Sequence, residues 1–428
     1  MRTCFERAAF PSTTVGLLFT WRILACLLVL PLLDTPAQGD PASRETTLVL
    51  LSLDGVRHDY PERVKGGAFE KLAREGSRAD RLIPPFPAST FPAHATLATG
   101  CYPERHGILN SRFLDTRRGE YDRSEDPGWL ACEPIWITAE RQGLKSAVLN
   151  WSGSFGQWGG RAATYHEVGF QPRDNQGAID QVLDWLRLPP AARPRLVAAY
   201  LAGADHEGHE GGPDSVAVNR KLQSLDRLLS RLLRGIEGIP ESEAFQVMLV
   251  SDHGMATRRG WLDPQAALAD AHVTQRTFTS GGTANVYLGQ REDRERAVKA
   301  LSGLPGLEIF FANTLPQDLR YSFPGRTGDL ILLAPVGVEL GKERGPDRRR
   351  RGGVHGYRGT AEEMGGIFYG WGTAFQRGAK ISSVEAAEIY SLACAVLGIR
   401  PSPQAQGRVP LGLLMTQEEG KVSTRGRR

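Results

Sequence analysis

The stretch "LVLLSLDGVRHDY", residues 48–60, is the first indication of the fold. A run typical of a buried strand ends abruptly at Asp54, and Gly55 follows it. Asp-Gly pairs are common in turns, so one carboxylate at the end of a strand does not identify a site. Its meaning depends on whether other strands carry similar groups to the same place.

Two further strand-like runs end in the same manner. "LVAAYLAGAD" ends at Asp205, and "FQVMLVSDH" ends at Asp252 and His253. Strand-like and helix-like segments alternate along the chain, which predicts an α/β fold with a mostly parallel sheet. The carboxyl ends of parallel strands share one edge, where ligands bind in open α/β sheets. Asp54 is therefore expected to belong to a set.

The same patterns predict the individual elements. "SVAVNRKLQSLDRLLSRLLRGI", residues 215–236, has apolar residues at helical spacing. "TANVYLG" and "GDLILLAP" indicate a smaller α+β subdomain inserted at about residues 261–351 of a single catalytic domain, 44–416. Residues 417–428 are expected to be a disordered tail. The predicted strands of the main sheet are Thr47–Leu53, Ser146–Asn150, Leu196–Leu201 and Gln246–Ser251.

The N-terminal residues 1–39 resemble a secretory signal peptide. Arginines precede an apolar run at 23–33, and small residues place a cleavage site near Gly39. The run is short for a membrane span, although an uncleaved anchor and lipid attachment at Cys26 stay open. We expect a periplasmic or secreted protein without a stable span after cleavage. The net charge of +4 over 428 residues gives no support for a nucleic-acid-binding module.

Histidines accompany the three carboxylates. His209 lies four residues after Asp205, His253 directly follows Asp252, and "VHGY" contains His355. Mixed carboxylate and imidazole ligands favour zinc, because magnesium and calcium sites are built from oxygen. Such a set could hold two divalent ions, an arrangement suited to in-line displacement at phosphorus.

The segment "FPASTFPAHATLATG", residues 86–100, contributes a hydroxyl. Thr90 precedes a helix-like segment that begins near Pro92. A hydroxyl at this place could be a simple helix cap. Beside a metal set it is better interpreted as a nucleophile, because a metal lowers its pKa and the helix N-terminus favours an incoming phosphate.

The sequence resembles the nucleotide pyrophosphatase/phosphodiesterase family of the alkaline phosphatase superfamily. The resemblance covers about residues 46–400. It is carried, in order, by "LDGVRHDY", "PASTFPAHATLATGCYPERHGI", "GADHEGHEGGP", "SDHGM" and "VHGY".

This resemblance implies an alkaline phosphatase-like fold with helices on both faces of the sheet, and two zinc ions at the sheet edge. Thr90 would attack phosphorus and form a phosphothreonine intermediate. Phe91 matches the position that packs on a nucleobase, and Tyr165 is a candidate on the opposite side. One zinc ion would be held by Asp54, Thr90, Asp252 and His253, and the other by Asp205, His209 and His355.

The sequence departs from the family pattern at several positions. The asparagine that donates to a phosphate oxygen corresponds to Ser111, with Asn110 beside it, and either side chain can donate. Cys101 and Cys132 stand where the family often has other residues, and this coincidence suggests a disulfide between them. Cys394 lies in a helix-like segment and is expected to be a buried free thiol.

The function expected from these features is hydrolysis of nucleotide phosphodiester or pyrophosphate bonds to nucleoside monophosphates, by a monomer. Alternatives are a phospholipid or choline-phosphate diesterase, with Trp136, Trp151 and Trp158 as a cage for a quaternary ammonium, a plain phosphomonoesterase, or an inactive binding protein. A sulfatase is disfavoured, because "STFPA" lacks the Arg-bearing motif of that group.

Overall fold

A nine-stranded sheet forms the centre of the fold in the computed structural model, which describes residues 46–166, 174–343 and 352–415. The predicted signal peptide and tail lie outside these ranges, so both stay predictions. The strands are β1 (Thr47–Leu53), β2 (Ser77–Ile83), β3 (Arg112–Asp115), β4 (Gly119–Asp122), β5 (Ser146–Leu149), β6 (Tyr165–His166), β7 (Leu196–Leu201), β8 (Phe245–Ser251), β9 (Ala256–Thr257), β10 (Gly260–Leu262), β11 (Gln275–Ser280), β12 (Thr283–Leu288), β13 (Glu308–Phe311), β14 (Leu330–Leu333), β15 (Val338–Leu340), β16 (Gly353–Val354), β17 (Gly366–Trp371), β18 (Lys380–Ile381) and β19 (Val384–Glu385).

The described ranges contain ten α-helices. They are α1 (Ala68–Glu75), α2 (Thr90–Thr99), α3 (Pro103–His106), α4 (Ile135–Arg141), α5 (Asn175–Leu186), α6 (Asp205–Gly211), α7 (Val216–Glu237), α8 (Pro264–Asp270), α9 (Arg294–Leu301) and α10 (Ala386–Leu397). Within the described ranges, no helix is both long and apolar enough to cross a bilayer.

The central sheet is mostly parallel, as predicted. Its strand order is β18-β2-β17-β8-β1-β7-β5-β6, and β19 also pairs with β2. Strand β17 runs antiparallel to both of its neighbours, β2 and β8. The other recorded pairings in this sheet, including those of β1 with β7 and β8, are parallel.

Strand β1 is buried on both faces, because every residue of Thr47–Leu53 is buried. Such continuous apolar runs are typical of parallel strands covered by helices. Alternate residues of β1 belong to different apolar clusters: Val49 packs with residues of α1, α5 and α7, and Leu48 packs with residues of α2, α4 and α10. The helices therefore cover both faces of the sheet.

Helix α7 shows why the predicted helix forms. Ser215 caps it, with Oγ accepting a hydrogen bond from the backbone N–H of Val218 at 3.2 Å. The predicted apolar face is buried, and it consists of Val218, Leu222, Leu225, Leu229 and Leu232. The observed range, Val216–Glu237, differs from the predicted one by one residue at each end.

A second, antiparallel sheet has the order β11-β12-β14-β13. It contains the two predicted strands "TANVYLG" and "GDLILLAP" as β12 and β14. These strands lie within the predicted insertion at 261–351, of which residues 344–351 are outside the described ranges. Its bounds as a subdomain stay a prediction.

The cysteines follow the expected arrangement. Cys101 and Cys132 form a disulfide, with their Cα atoms 6.7 Å apart. Cys394 is free and buried within α10. The disulfide joins the segment after α2 to the segment before α4.

Candidate functional site

The parallel strands bring the predicted carboxylates to one edge. Leu53 at the end of β1 is level with Leu201 of β7 and Ser251 of β8. Asp54 and Asp252 directly follow their strands, and Asp205 is the first residue of α6. One ligand atom from each of Asp54, Asp205 and His253 lies within 4.8 Å of the others.

Gly55 explains the Asp-Gly pair with which the sequence analysis began. Its φ is +65°, and a Cβ at this position would lie 2.7 Å from Cα of Asp205. A larger residue would therefore be strained and would push Asp205 away. The glycine permits the close approach of two carboxylate-bearing segments.

The three predicted histidine ligands share one orientation. In each ring, Nδ1 is 2.9–3.0 Å from a backbone carbonyl oxygen: His253 with Gly254, His209 with Gly353, and His355 with Ala88. These contacts assign the proton to Nδ1 and leave the Nε2 lone pair for a ligand, as is usual for histidines that bind metals.

The Nε2 atoms converge. Those of His209 and His355 are 3.1 Å apart, and that of His209 is 3.3 Å from Oδ1 of Asp205. This second group, Asp205, His209 and His355, also fits within 4.8 Å. Asp205 therefore belongs to both groups and links them.

Each carboxylate presents one oxygen without a hydrogen-bond donor. These buried oxygens are Oδ1 of Asp54, Oδ1 of Asp205 and Oδ2 of Asp252. In Asp252 the other oxygen accepts hydrogen bonds from the backbone N–H of Gly55 and of His253, at 3.0 and 2.9 Å. Buried polar atoms rarely lack partners, so three such oxygens beside three imidazole nitrogens fit divalent cations.

The electrostatics also favour a cation. Burial raises the pKa of Asp54 well above its usual range, and repulsion by Asp252 and Asp205 raises it further. Burial lowers the pKa of His355 well below its ordinary value, and the neighbouring His253 adds to this effect. Burial alone would also raise the pKa of Asp205, but His209 and His355 bring it below the usual value. A bound cation would offset the repulsion among the carboxylates and bind neutral imidazoles.

Thr90 faces this group of donors. It is the first residue of α2, and its Oγ1 lies 3.2 Å from Nε2 of His253. Ser89 occupies the preceding cap position with extended backbone. The backbone carbonyl of Thr90 is 2.8 Å from Nδ1 of the buried His94 in the same helix, and Nε2 of His94 is 2.9 Å from Oγ of Ser52, which links α2 to β1.

A cavity of about 710 Å³ opens beside Thr90. Its lining includes Phe91, Ser111, Arg123 and Lys342 in addition to some of the candidate metal ligands. The volume lies within the ordinary range of small-molecule sites.

The two candidate phosphate donors have different positions. Ser111 lines the cavity. Asn110 is buried behind it and its Oδ1 accepts a hydrogen bond from the backbone N–H of Ser111 at 2.9 Å, whereas its Nδ2 has no partner. Which of the two contacts phosphate stays a prediction, and the cavity lining favours Ser111.

The structure does not bring Tyr165 to this cavity. It lies on the terminal strand β6, where its hydroxyl donates a hydrogen bond to the carbonyl of Ala192 at 2.8 Å and its ring packs near Trp185. The expected base-binding role of Tyr165 therefore has no support, because β6 directs the ring towards α5. Phe91 does line the cavity, although most of its ring is buried beside Tyr121.

The tryptophan cage of the choline-phosphate alternative is also absent from the cavity lining. Trp136 and Trp151 are buried in the core on one face of the sheet, and the indole N–H of Trp158 donates a hydrogen bond to the carbonyl of Leu130 at 3.0 Å. Packing of the core accounts for these residues.

The sequence analysis missed the residues that hold the carboxylates. Tyr200 donates a hydrogen bond to Oδ2 of Asp54 at 2.5 Å, and burial, followed by the charge of Asp54, raises the pKa of its hydroxyl. His94 is 2.9 Å from Oγ of Ser52 and 3.5 Å from Oδ2 of Asp252. A tyrosine in an apolar strand resembles an ordinary core residue, so only the pairing of β1 with β7 reveals its contact.

The comparison with protein families identifies the chain. The model of the family described as type I phosphodiesterase/nucleotide pyrophosphatase matches residues 48–358. The chain belongs to this family. Its members are hydrolases, and the matched range contains all seven residues predicted to bind metal.

Individual members of the type I phosphodiesterase family show the same relationship. An uncharacterized pyrophosphatase/phosphodiesterase of Schizosaccharomyces pombe is 32% identical over 395 residues, covering 86% of this chain and 80% of the relative. Ectonucleotide pyrophosphatase/phosphodiesterase family member 1 of Mus musculus is 29% identical over 392 residues, covering 87% and 43%. A venom phosphodiesterase of Macrovipera lebetinus is 29% identical over 385 residues, covering 86% and 45%. The chain thus spans less than half of the mouse and venom proteins.

Solved structures of the type I phosphodiesterase family confirm the alkaline phosphatase-like fold. Human ectonucleotide pyrophosphatase/phosphodiesterase 5 superposes with a TM-score of 0.79 at 24% identity, over 87% of this chain and 100% of that one. An inactive variant of the murine protein in complex with AMP superposes with a TM-score of 0.78 at 22% identity, over 85% and 97%.

Proposed function

We propose that this chain is a two-zinc enzyme that hydrolyses nucleotide phosphodiester or pyrophosphate bonds and releases nucleoside monophosphates, with Thr90 as the nucleophile. The carrying observation is the position of the Thr90 hydroxyl, 3.2 Å from Nε2 of His253 and beside three carboxylate oxygens that lack donors. Membership of the hydrolase family and the venom and mouse relatives support this reaction class.

The donors fit two adjacent zinc sites, because Asp205 of the second site lies within 4.8 Å of donor atoms of Asp54 and His253 of the first. Zinc bound here would lower the pKa of a hydroxyl or water and would offset the negative charge of the phosphate. The first site would use Asp54, Thr90, Asp252 and His253, and the second would use Asp205, His209 and His355.

The chain's own residues account for the two chemical steps. Oγ1 of Thr90 gives up its proton to the solvent and forms a bond to phosphorus, while the bond from phosphorus to the leaving oxygen breaks; the product is a phosphothreonine that still carries the nucleoside. Water then attacks the same phosphorus and releases a proton to the solvent, and Oγ1 departs and is reprotonated. Ser111 lines the cavity, from which its hydroxyl can donate to a phosphate oxygen. The position of Thr90 at the start of α2 favours the negative charge of the phosphate.

The cavity favours a nucleotide over a choline ester. Arg123 and Lys342 line it, and neither forms an ion pair with another residue in the described ranges. Two such cations suit a polyanionic leaving group. A quaternary ammonium would need several aromatic faces, whereas the lining includes Phe91 and no tryptophan from the described ranges. Glutamates also line the cavity and would suit a cationic head group, namely Glu210, Glu339 and Glu343. The preference for a nucleotide therefore rests on Arg123, Lys342 and the scarcity of aromatic faces.

Three chromogenic esters test the substrate class. We expect higher kcat/KM for nitrophenyl thymidine monophosphate than for nitrophenyl phosphate or nitrophenyl phosphorylcholine. Preferred turnover of phosphorylcholine would overturn the nucleotide assignment, and preferred turnover of nitrophenyl phosphate would indicate a monoesterase.

Substitution of Thr90 tests the nucleophile. Thr90→Ala should lower kcat on the order of 10³-fold or more, because the attacking oxygen is lost. Thr90→Ser retains a hydroxyl and is the matched control, with much smaller loss. Metal content should stay near that of the natural protein in both variants, because the carboxylate and imidazole donors remain. Full activity of Thr90→Ala would exclude Thr90 as the nucleophile. It would also count against an inactive binding protein, because the chain would then be a catalyst that does not need Thr90.

The proposed site of action is the periplasm or the extracellular medium. The disulfide between Cys101 and Cys132 supports an oxidising compartment. Fractionation of the native host, with activity measured in each fraction, tests this location. Activity confined to the cytosolic fraction would contradict it.

A further inference from the structure

We infer that Tyr200 is a positioning residue for metal binding, which holds the carboxylate of Asp54 so that one oxygen faces the cation. This inference rests on the proposed two-metal site. It assigns to a core tyrosine a function in metal affinity that is separate from packing.

The strand pairing places the tyrosine beside the carboxylate. Tyr200 lies on β7, level with Ser52 of β1, and its ring is 4% exposed. The phenol donates to Oδ2 of Asp54 at 2.5 Å. The remaining oxygen, Oδ1, has no hydrogen-bond donor and lies 3.6 Å from Nε2 of His253. One oxygen is therefore tied and the other is directed into the group of donors.

The hydroxyl selects one orientation of the carboxylate. Rotation about χ2 of an aspartate has a broad preference, and burial alone does not choose between its two oxygens. A single donor on one side of Asp54 makes this choice before any cation binds. Partners outside the first set of ligands commonly change metal affinity in this way.

The tyrosine is itself held in place. Its ring packs edge-on against His94, with 5.2 Å between the centroids. His94 is in turn 2.9 Å from Oγ of Ser52. The hydroxyl therefore occupies a position fixed by two neighbouring elements, β1 and α2, and it loses little entropy when it donates.

Zinc affinity of the Tyr200→Phe variant tests the inference. The substitution keeps the ring and removes the donor. Zinc titrated in competition with a chromophoric chelator should show about 10- to 100-fold weaker affinity at one of two sites. This readout needs no turnover, and the apo-protein should stay folded with an unchanged circular dichroism spectrum, although loss of a buried hydrogen bond lowers its urea midpoint slightly.

Tyr60→Phe is the matched control. Tyr60 is also fully buried, but its hydroxyl has no hydrogen-bond partner in the described ranges. Its loss should leave zinc affinity unchanged. In an Asp54→Ala background, adding Tyr200→Phe should cause little further loss, because the carboxylate that the phenol orients is already absent.

Three results would contradict the inference: unchanged zinc affinity of Tyr200→Phe, an equal loss in Tyr60→Phe, or unfolding of the Tyr200→Phe apo-protein, since the hydroxyl would then serve the fold. The failure of the proposed function has a different signature, because the natural protein itself would then bind no zinc.

Discussion

Burial shifts the pKa of His106, a residue outside the proposed catalytic group. It is fully buried, Nδ1 accepts a hydrogen bond from the backbone N–H of Ile108 at 3.0 Å, and Nε2 lies 3.0 Å from Oγ1 of Thr96. A proton added to Nδ1 would oppose the N–H of Ile108. Burial, followed by the charge of Arg326, lowers the pKa of His106 to about 3.

This shift predicts a pH-dependent stability. The unfolded chain takes up a proton below pH of about 6.5, whereas the folded chain does so only near pH 3. The contribution of neutral His106 to the free energy of unfolding is complete above a pH of about 6.5. It is lost as the pH falls towards 3, by up to about 1.4 kcal/mol per pH unit.

Urea unfolding of the chelated natural protein and of His106→Gln between pH 4.5 and 7.5 measures this effect. The variant keeps an acceptor and a donor but does not titrate, so its free energy of unfolding should fall less steeply. Chelation makes the contribution of the metal ligands common to both proteins. Parallel pH profiles of the two proteins would show that His106 is not the titrating group.

At the same scale, the sequence identified most of the candidate site. Asp54, Asp205 and Asp252 were predicted from strands that end in carboxylates, and the structure brings them together. The sequence could not show that Tyr165 lies away from the cavity, because the position of its ring depends on which strand pairs with β6.

At the scale of elements, the disulfide encloses the segment between α2 and α4. Cys101 and Cys132 are 31 positions apart, and Ser111 and Arg123 lie between them. The predicted metal ligands all lie outside this segment. The disulfide should therefore stabilise the substrate side of the cavity, lined by Ser111 and Arg123, more than the side formed by the predicted metal ligands.

Replacement of both cysteines with alanine tests that division. The double variant should lose about 3–4 kcal/mol of stability, because the unfolded chain regains the entropy of an open segment. Metal content should be retained, and KM should rise more than kcat falls. Urea unfolding, metal analysis and steady-state kinetics provide the three measurements.

Cys394→Ala is the control, because it removes a buried sulfur without opening a disulfide. Its smaller loss of stability reports packing alone. A double variant that loses its metal while its KM is unchanged would contradict the assignment of the disulfide to the substrate side.

Elements with a regular pattern were predicted most accurately. Thr47–Leu53 and Leu196–Leu201 match their strands at both ends, because central parallel strands are apolar throughout. Helix α2 begins at Thr90, two residues before the predicted start near Pro92. The short strands β18 and β19 were not predicted, because each has two residues and no periodicity.

At the scale of the whole molecule, binding of the proposed metals should increase the free energy of unfolding. The donors come from segments that are 301 positions apart, from Asp54 to His355. Without a cation, several carboxylates lie close together, and burial raises the pKa of Asp54. Cations bind the folded arrangement and have little affinity for the separated donors of an unfolded chain.

Removal of zinc with a chelator should therefore lower Tm. At a free zinc concentration of 1,000 Kd, one site should contribute about 4 kcal/mol. Calorimetry with and without zinc measures the difference. In Asp205→Asn the difference should shrink, because Asp205 is a proposed ligand of one zinc ion and lies beside the donors of the other. An equal Tm with and without zinc in the natural protein would exclude a coupled metal site.

The sequence alone determined the α/β class, the main strands, the disulfide pair through a departure from the family pattern, and the residues expected to bind metal. These features depend on local periodicity or on residue types at the ends of strands, which are visible along the chain. The tertiary structure alone decided that Tyr200 holds Asp54, that Asp205 links both donor groups, and that Tyr165 lies away from the cavity. Those contacts join residues distant in sequence, and they arise from strand order and register, which no local pattern encodes.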